Sequence, residues 1–145
     1  MKEHKKDPVL EVLVQTDPDH TVVFEGPLGH VKMIPFTGTV DCPLFKGVLA
    51  PCGVDTQVTD QNDVRHMSAR YMLVGTDADG QECHIYVENN AFFTGGERPR
   101  PFRTVPTFLT DSARLAPYLH ANRFVGEGLR DERGLWIRFY ELEED

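Results

Sequence analysis

The chain has 145 residues, 40% of them hydrophobic and 26% charged, which fits one folded domain and is too short for two ordinary ones. Its 23 acidic and 15 basic residues leave a formal charge of -8. That charge repels polyanions, and no Lys/Arg stripe with interleaved aromatics offsets it, so no nucleic acid partner is expected.

Cys42, Cys52 and Cys83 are odd in number, far apart and without a CxxC, so reduced thiols are expected rather than a disulfide framework or a zinc site. The basic start MKEHKKDPVLEVLVQ is interrupted by Glu11 and lacks a small-residue cleavage site, which fails the pattern of a signal peptide. No segment reaches the ~20 apolar residues of a spanning helix. A cytoplasmic protein without a membrane partner is therefore expected. The terminal ELEED reads as a solvated end.

In chain order, the predicted strands are PVLEVLVQ, TVVFEGP, HVKMIPFTGTV, LFKGVLA and GVDTQVT, then SARYMLVG, ECHIYVENN, FRTVPTFL, FVGEGLR and LWIRFYELE. They are β-branched, aromatic and alternating, with turn residues between them, which is the pattern of an all-β meander or barrel. TDADG and RDERG supply Asp and Gly for two hairpins. Asp77 to Gly80 also resembles the front of a calcium loop, but the third Asp and the distal Glu are missing, so a plain turn is expected. FFTGGERPRP reads as an exposed, mobile loop. The predicted helix lies in DSARLAPYLHAN, capped by Thr110 or Asp111, with Leu115 and Leu119 on one face and Pro117 dividing it into two short turns. This segment is expected to cover one mouth of a barrel.

There is no GxSxG, GxxxxGKS/T, HExxH or strand-following GxGxxG, so hydrolase, kinase and dehydrogenase chemistry lack a motif. What remains is a set of polar residues within strands. In ECHIYVENN, two-residue periodicity puts Glu82, His84, Tyr86, Glu88 and Asn90 on one face and Cys83, Ile85, Val87 and Asn89 on the other. Turned into a lumen, the first face supplies a base, an acid and an orienting partner. Turned outward, it is a solvated wall. The inward placement is expected, because Arg70 and Asp55 also read as buried polar groups that need partners. Glu82 and His84, with His66 or His120, fall short of the three or four converging ligands a metal needs, so no metal is expected.

In GVDTQ, Asp55 and Gln57 share a face and Gly53 permits a close backbone approach. The pair binds a ligand's polar atoms, or Asp55 is a structural carboxylate paired with Arg70. Arg70 interrupts an apolar strand, so it snorkels outward or, turned inward, clamps Asp55 or a substrate carboxylate. Arg103, Trp136 and the Asn89-Asn90 pair are weaker candidates. For Trp136 the alternative is packing in the core or barrel wall.

Taken together, FTGTVDCPLFKGVLAPCGVDTQ, SARYMLVGTDADGQECHIYVENN, PFRTVPTFLTDS and FVGEG resemble domain-of-unknown-function family 3237, over roughly Val31 to Tyr140. The resemblance lies in the order of the pieces, from the G-x-D through the ARY strand and the DG hairpin to the FRT strand and the late FVG turn. It implies one closed, antiparallel, up-and-down, calycin-like β-barrel with a short helical segment and a central cavity, and it assigns no reaction. The recurring polar positions it implies are Asp55, Arg70 and Arg103, with Tyr71 and Phe102 beside them. Many relatives carry Gly-Gly before the aspartate and Trp after it, whereas here Cys52-Gly53 precede it and Thr56 follows.

The functional expectation is a small organic ligand in an internal polar pocket, with acid-base chemistry that needs no cofactor: an isomerisation, a cyclisation, or the addition or removal of water. Asp55 or Glu88 acts as base, His84 or Tyr86 as proton donor, and Arg70 or Arg103 stabilises negative charge. Gln57, Tyr86, Asn90, Arg103 and Trp136 line the pocket. Two competing readings stay open. One is a non-catalytic carrier relying on Phe36, Met72, Phe92, Phe108 and Trp136. The other is a homo-oligomer without ligand, associating through strand faces or the 110 to 121 segment.

Overall fold

The computed structural model describes residues 3 to 144. Ten strands follow in order: β1 (Leu10–Thr16), β2 (Val22–Gly26), β3 (Gly29–Asp41), β4 (Phe45–Leu49) and β5 (Val54–Asp60), then β6 (Val64–Asp77), β7 (Glu82–Thr94), β8 (Phe102–Thr110), β9 (Phe124–Asp131) and β10 (Gly134–Glu141). Each predicted strand is present. β6 and β7 are longer than their sequence patterns, because their ladder continues from Asn90 opposite Ser68 up to Thr94 opposite Val64.

The strands close into an antiparallel barrel. β6 through β10 form a meander, and β10 pairs with β1, which pairs with β3. β3 reaches β6 through β4 and β5, both antiparallel to each neighbour. β4 and β5 are thus two halves of one stave, broken at 50–53. In the same way β1 and β2 both run antiparallel to β3, and a 3-10 turn at Pro18–His20 separates them. Counting each broken stave once gives an eight-stave up-and-down barrel. Closure removes the exposed hydrogen-bonding edge that an open sheet would present.

The break between β4 and β5, and the β4–β6 ladder beside it, rest on close approaches. Gly53 accepts from Phe36 N at 3.1 Å, and a Cβ there would collide with Leu49, so only glycine lets the two halves turn so tightly. Gly47 and Gly75 face each other across β4 and β6. A Cβ on either would strike the opposite backbone.

The closed end of the barrel carries the core. Phe108 packs edge-to-face on Phe124 and Phe139, at 5.4 and 5.2 Å between ring centroids. Phe45, Phe139, Leu10, Leu73 and Ile85 are fully buried, each side chain of this size contributing about 1.5–3 kcal/mol through burial. The segment after β8 plugs this end as expected, with Leu115 and Leu119 buried. Its helix differs from the sequence expectation. α1 (Ala116–Leu119) is one short turn with Pro117 in its first turn, and no side chain caps it. Proline is tolerated there because the first helical N–H groups have no intrahelical acceptor, so it starts the turn instead of dividing two. Ser112 Oγ accepts from Leu115 N and donates to Asp77 Oδ2 at 2.9 Å, tying the plug to the β6–β7 hairpin.

That hairpin forms as predicted, with Gly80 at φ 76° and Asp77 Oδ1 accepting from Asp79 N and Gln81 N. Among the described residues, no helix is long and apolar enough to cross a membrane.

Candidate functional site

The register of β7 decides which side chains reach the lumen. Cys83, Ile85, Val87, Asn89 and Ala91 are buried, and the residues between them are exposed or half-buried. The expectation that the polar side of 82–90 lines the lumen is thus overturned. An eight-stranded barrel has room inside for little beyond its own side chains or one small ligand, so the mainly apolar row goes inside and the charged row stays in water.

This placement relocates most of the candidate residues. His84 Nδ1 lies 2.7 Å from Asp111 Oδ2 on the outer wall. Tyr86 OH donates to Glu88 Oε1 at 2.9 Å, and Asn90 Oδ1 lies 3.1 Å from His66 Nε2, also outside. Arg70 is 62% exposed and meets Glu88 at 3.8 Å. It does not pair with Asp55, because adjacent positions in a strand point to opposite faces and Arg70 stands beside the inward Ala69 and Tyr71. Arg103 falls between the inward Phe102 and Thr104 and pairs in register with Glu127. Trp136 donates to Asp131 at 2.9 Å and lies under Arg133 and Arg138 on the outer wall. Among the described residues, no group of three or more His, Cys, Asp or Glu is placed to hold a metal.

Asp55 and Gln57 are the candidates that do face inward. β5 carries both on its lumen side, where Gln57 Nε2 donates to Asp55 Oδ2 at 2.9 Å. Burial pushes the Asp55 carboxyl above its usual range, against the opposing pull of Gln57 and of the cations Arg98, Arg65 and Lys32.

Asp55 stands at a throat between two spaces. Below it lies a narrow cavity of about 50 Å³, walled by Val14, Phe36, Met67 and Ile137 among others. Tyr71, Asn89 and Thr104 also line it, each at least nine-tenths buried. Among the described residues, Tyr71 OH, Asn89 Oδ1, Thr104 Oγ1 and Asp55 Oδ1 are buried without a hydrogen-bond partner. A buried polar atom left unpaired costs free energy, so four around one space mark it as a place for something polar. Burial alone raises the Tyr71 hydroxyl, which keeps it protonated and able to donate.

Above the throat, a wider vestibule of about 590 Å³ opens at the rim, sharing Thr16, Asp55 and Leu135 with the inner space. Lys32, Arg65, Arg98 and Arg130 line it. They come from β3, β6, the loop after β7, and β9. Arg98 lies over the Phe102 ring at 4.1 Å and Arg65 over Phe93 at 5.6 Å. Burial, and the like charge of Arg65 beside it, pull the Arg98 guanidinium below its usual value. A guanidinium stays charged even so.

Of the inner polar residues, sequence reasoning named Asp55, Asn89 as a weaker candidate and Tyr71 through the family resemblance, and it missed Thr104 and the rim. One signal was present: Asn89 is the polar member of the otherwise apolar row Cys83, Ile85, Val87 and Ala91. The rim arginines gave none, because Arg65, Arg98 and Arg130 lie far apart in sequence and meet only through the meander.

The sequence model of a family described as protein of unknown function (DUF3237) matches residues 5–142. A UPF0311 protein of Clostridium acetobutylicum is 27% identical over 157 residues, covering 98% of this chain and 96% of that protein. A crystal structure of a protein with unknown function from the same organism superposes with a TM-score of 0.75 at 26% identity, covering 99% of each chain. A conserved protein of unknown function from Rhodopseudomonas palustris gives a TM-score of 0.72 at 23% identity, covering 99% of this chain and 100% of its own. A beta-barrel like protein from Acinetobacter baumannii gives 0.67 at 21%, covering 99% and 96%. These two share the fold.

Proposed function

The chain belongs to the DUF3237 family, and from that premise we propose that it is a small-molecule-binding barrel whose ligand enters at the open rim and exchanges a proton with Asp55. The observation that carries this reading is the group of four buried, unpartnered polar atoms, on Asp55, Tyr71, Asn89 and Thr104, around one cavity. A ligand hydroxyl can donate to Asn89 Oδ1 and a ligand carbonyl can accept from Tyr71 OH, and the protein has already buried its half of each bond.

Asp55 is the proton-transfer group. Its raised pKa brings a carboxyl nearer to the working range of a general acid or base, and Gln57 fixes one oxygen while leaving the other toward the cavity. The class of reaction this suits is a cofactor-independent proton shift: an isomerisation, a cyclisation, or a hydration or dehydration. Tyr71, protonated and beside the same space, is the donor that stabilises a developing oxyanion. We place the protein in the cytoplasm as a one-domain unit, since its three unpaired cysteines suit a reducing compartment.

The apolar walls formed by Val14, Phe36, Met67 and Ile137 equally suit a carrier, and one experiment separates the two. Small ketones, enols and hydroxy acids are screened for thermal stabilisation of the protein, and NMR in heavy water then follows deuterium incorporation into those that bind. Thr16→Trp, at an exposed strand end that borders both spaces, is expected to abolish stabilisation. Asp55→Asn is expected to keep stabilisation and stop incorporation. Binding without incorporation by the native protein makes it a carrier. Stabilisation that Thr16→Trp leaves intact removes the pocket reading.

A further inference from the structure

We infer that the ligand is an amphipathic oxyanion, its acidic group held at the rim by Lys32, Arg65, Arg98 and Arg130 and its apolar body directed inward past Ile34 and Leu135. This rests on the pocket reading above and names the chemistry that the pocket selects.

The charge distribution is the first argument. In a chain of formal charge -8, five of the cations outside the rim have acidic neighbours. Lys5, Lys46, Arg70, Arg114 and Arg138 each have a carboxylate within 3.8 Å. Among the described residues, none of the four rim cations has one within ion-pair distance. They converge from four separate elements on one open cavity, and a second space at the rim, about 420 Å³, repeats three of them: Arg65, Arg98 and Arg130. Like charges brought together repel, and among the described residues Asp55 and Glu97, the carboxylates that share these spaces, form no ion pair with them.

How the arginines are held is the second argument. Arg98 and Arg65 lie over Phe102 and Phe93, and those two rings meet edge-to-face with centroids 6.0 Å apart. Aromatic faces orient a guanidinium without cancelling its charge, so its N–H fork stays available to a planar oxyanion. Arg65 Nε is itself buried without a partner among the described residues.

The shape of the space sets the rest of the ligand. Between the cations and the throat the vestibule offers Val23, Ile34, Pro18 and Leu135 as apolar wall. At the throat the acid Asp55 disfavours a second anionic group, whereas beyond it Tyr71 OH can donate to a carbonyl and Asn89 Oδ1 can accept from a hydroxyl. The ligand is therefore an acid at one end only. Its acidic group is a carboxylate, sulfonate or phosphate ester, which share the geometry an arginine fork recognises.

Two dyes with the same ring system test this: anilinonaphthalene sulfonate, and phenylnaphthylamine, which lacks the sulfonate. Fluorescence titration of the full-length protein is expected to give tighter binding of the sulfonate by about tenfold or more, and weaker sulfonate binding as salt rises. Lys32→Gln with Arg98→Gln, at an exposed and a half-buried position that the fold does not need, is expected to weaken the sulfonate about tenfold and leave the neutral dye within about twofold. Equal affinity for the two dyes, or sulfonate binding unmoved by the double change, overturns the oxyanion assignment and leaves the pocket standing. Displacement of the sulfonate by inorganic phosphate, beyond that by chloride at equal ionic strength, makes the rim a site for a free oxyanion and overturns the amphipathic part. Failure of both dyes to bind, or binding that Thr16→Trp does not disturb, removes the pocket reading and this inference with it.

Discussion

Gln57 holds one oxygen of Asp55 at 2.9 Å and leaves the other buried at the throat without a partner among the described residues. Burial raises the Asp55 pKa from its ordinary 3.8, so the folded protein holds that proton more tightly than the unfolded chain does. The stabilising contribution is fully present below the unfolded value and is lost as pH rises through the folded one. Asp55→Asn should therefore be more stable than the native protein at neutral pH, by about 1 kcal/mol, with the two converging in acid. Urea unfolding at acid and neutral pH measures this, and a native protein that is the more stable at neutral pH overturns it.

The outer wall should be indifferent to the ligand. His84→Gln, Glu88→Gln and Arg70→Ala all change groups outside the barrel, so dye affinity at the rim should stay that of the native protein. Arg70 is mostly exposed and 3.8 Å from its acid, and its loss should shift stability by no more than about 0.5 kcal/mol. A tenfold loss of dye affinity in any of the three would return this face to the lumen.

Gly75 should be the least replaceable residue of the β4–β6 ladder. It pairs with Gly47, and an added Cβ would strike the backbone of Lys46 and Gly47. Gly75→Ala is expected to cost about 1–3 kcal/mol, as overpacking does where backbone must move. A fall in urea midpoint at unchanged slope reports it, and a midpoint equal to that of the native protein refutes it.

The closed end should loosen first in acid. Asp111 accepts from His84 N at 2.7 Å and faces its ring at the same distance, and these bonds hold its carboxyl below the usual range. At Asp77 burial acts to raise the pKa, but bonds from Ser112, Gln81 N and Asp79 N outweigh it and the net direction is down. Both contributions are present above the unfolded value of 3.8 and are lost as pH falls through the lowered folded values. Amide exchange in residues 111–121 should accelerate there before exchange in β6 and β7 does. Simultaneous acceleration in the two regions would refute this order.

The strands were readable because each is a local pattern of alternation bounded by turn residues, and the barrel followed from their order. Which face of a strand points inward is not local. For ECHIYVENN the two faces are equally regular, and the choice depends on how little room eight staves leave inside. Reading Arg70 as a buried group in need of partners favoured the wrong face, whereas the single Asn89 among apolar neighbours marked the right one. Asp55 and Gln57 were legible because a short polar run beside a close-approach glycine is unusual in a strand. The rim cations were not, since proximity across four elements is a property of the closed meander and no spacing along the chain expresses it. α1 shows the same limit on a smaller scale. Pro117 announced a disruption, and only the position of the turn decided whether it began a helix or split one.

The two broken staves stand on either side of β3, and both breaks come near the same level, where β3 passes from pairing with β2 and β5 to pairing with β1 and β4. Every residue of β2 is exposed, and among the described residues its one hydrogen-bonded neighbour strand is β3. The upper length of β3 with β2 thus behaves as a lip with its own ladder, separate from the hoop that keeps the barrel shut. Peeling β2 away uncovers little apolar surface, so it belongs to the low-cost end of local opening. Displacing that lip would leave the girth of the barrel, and the plug at its far end, as they are.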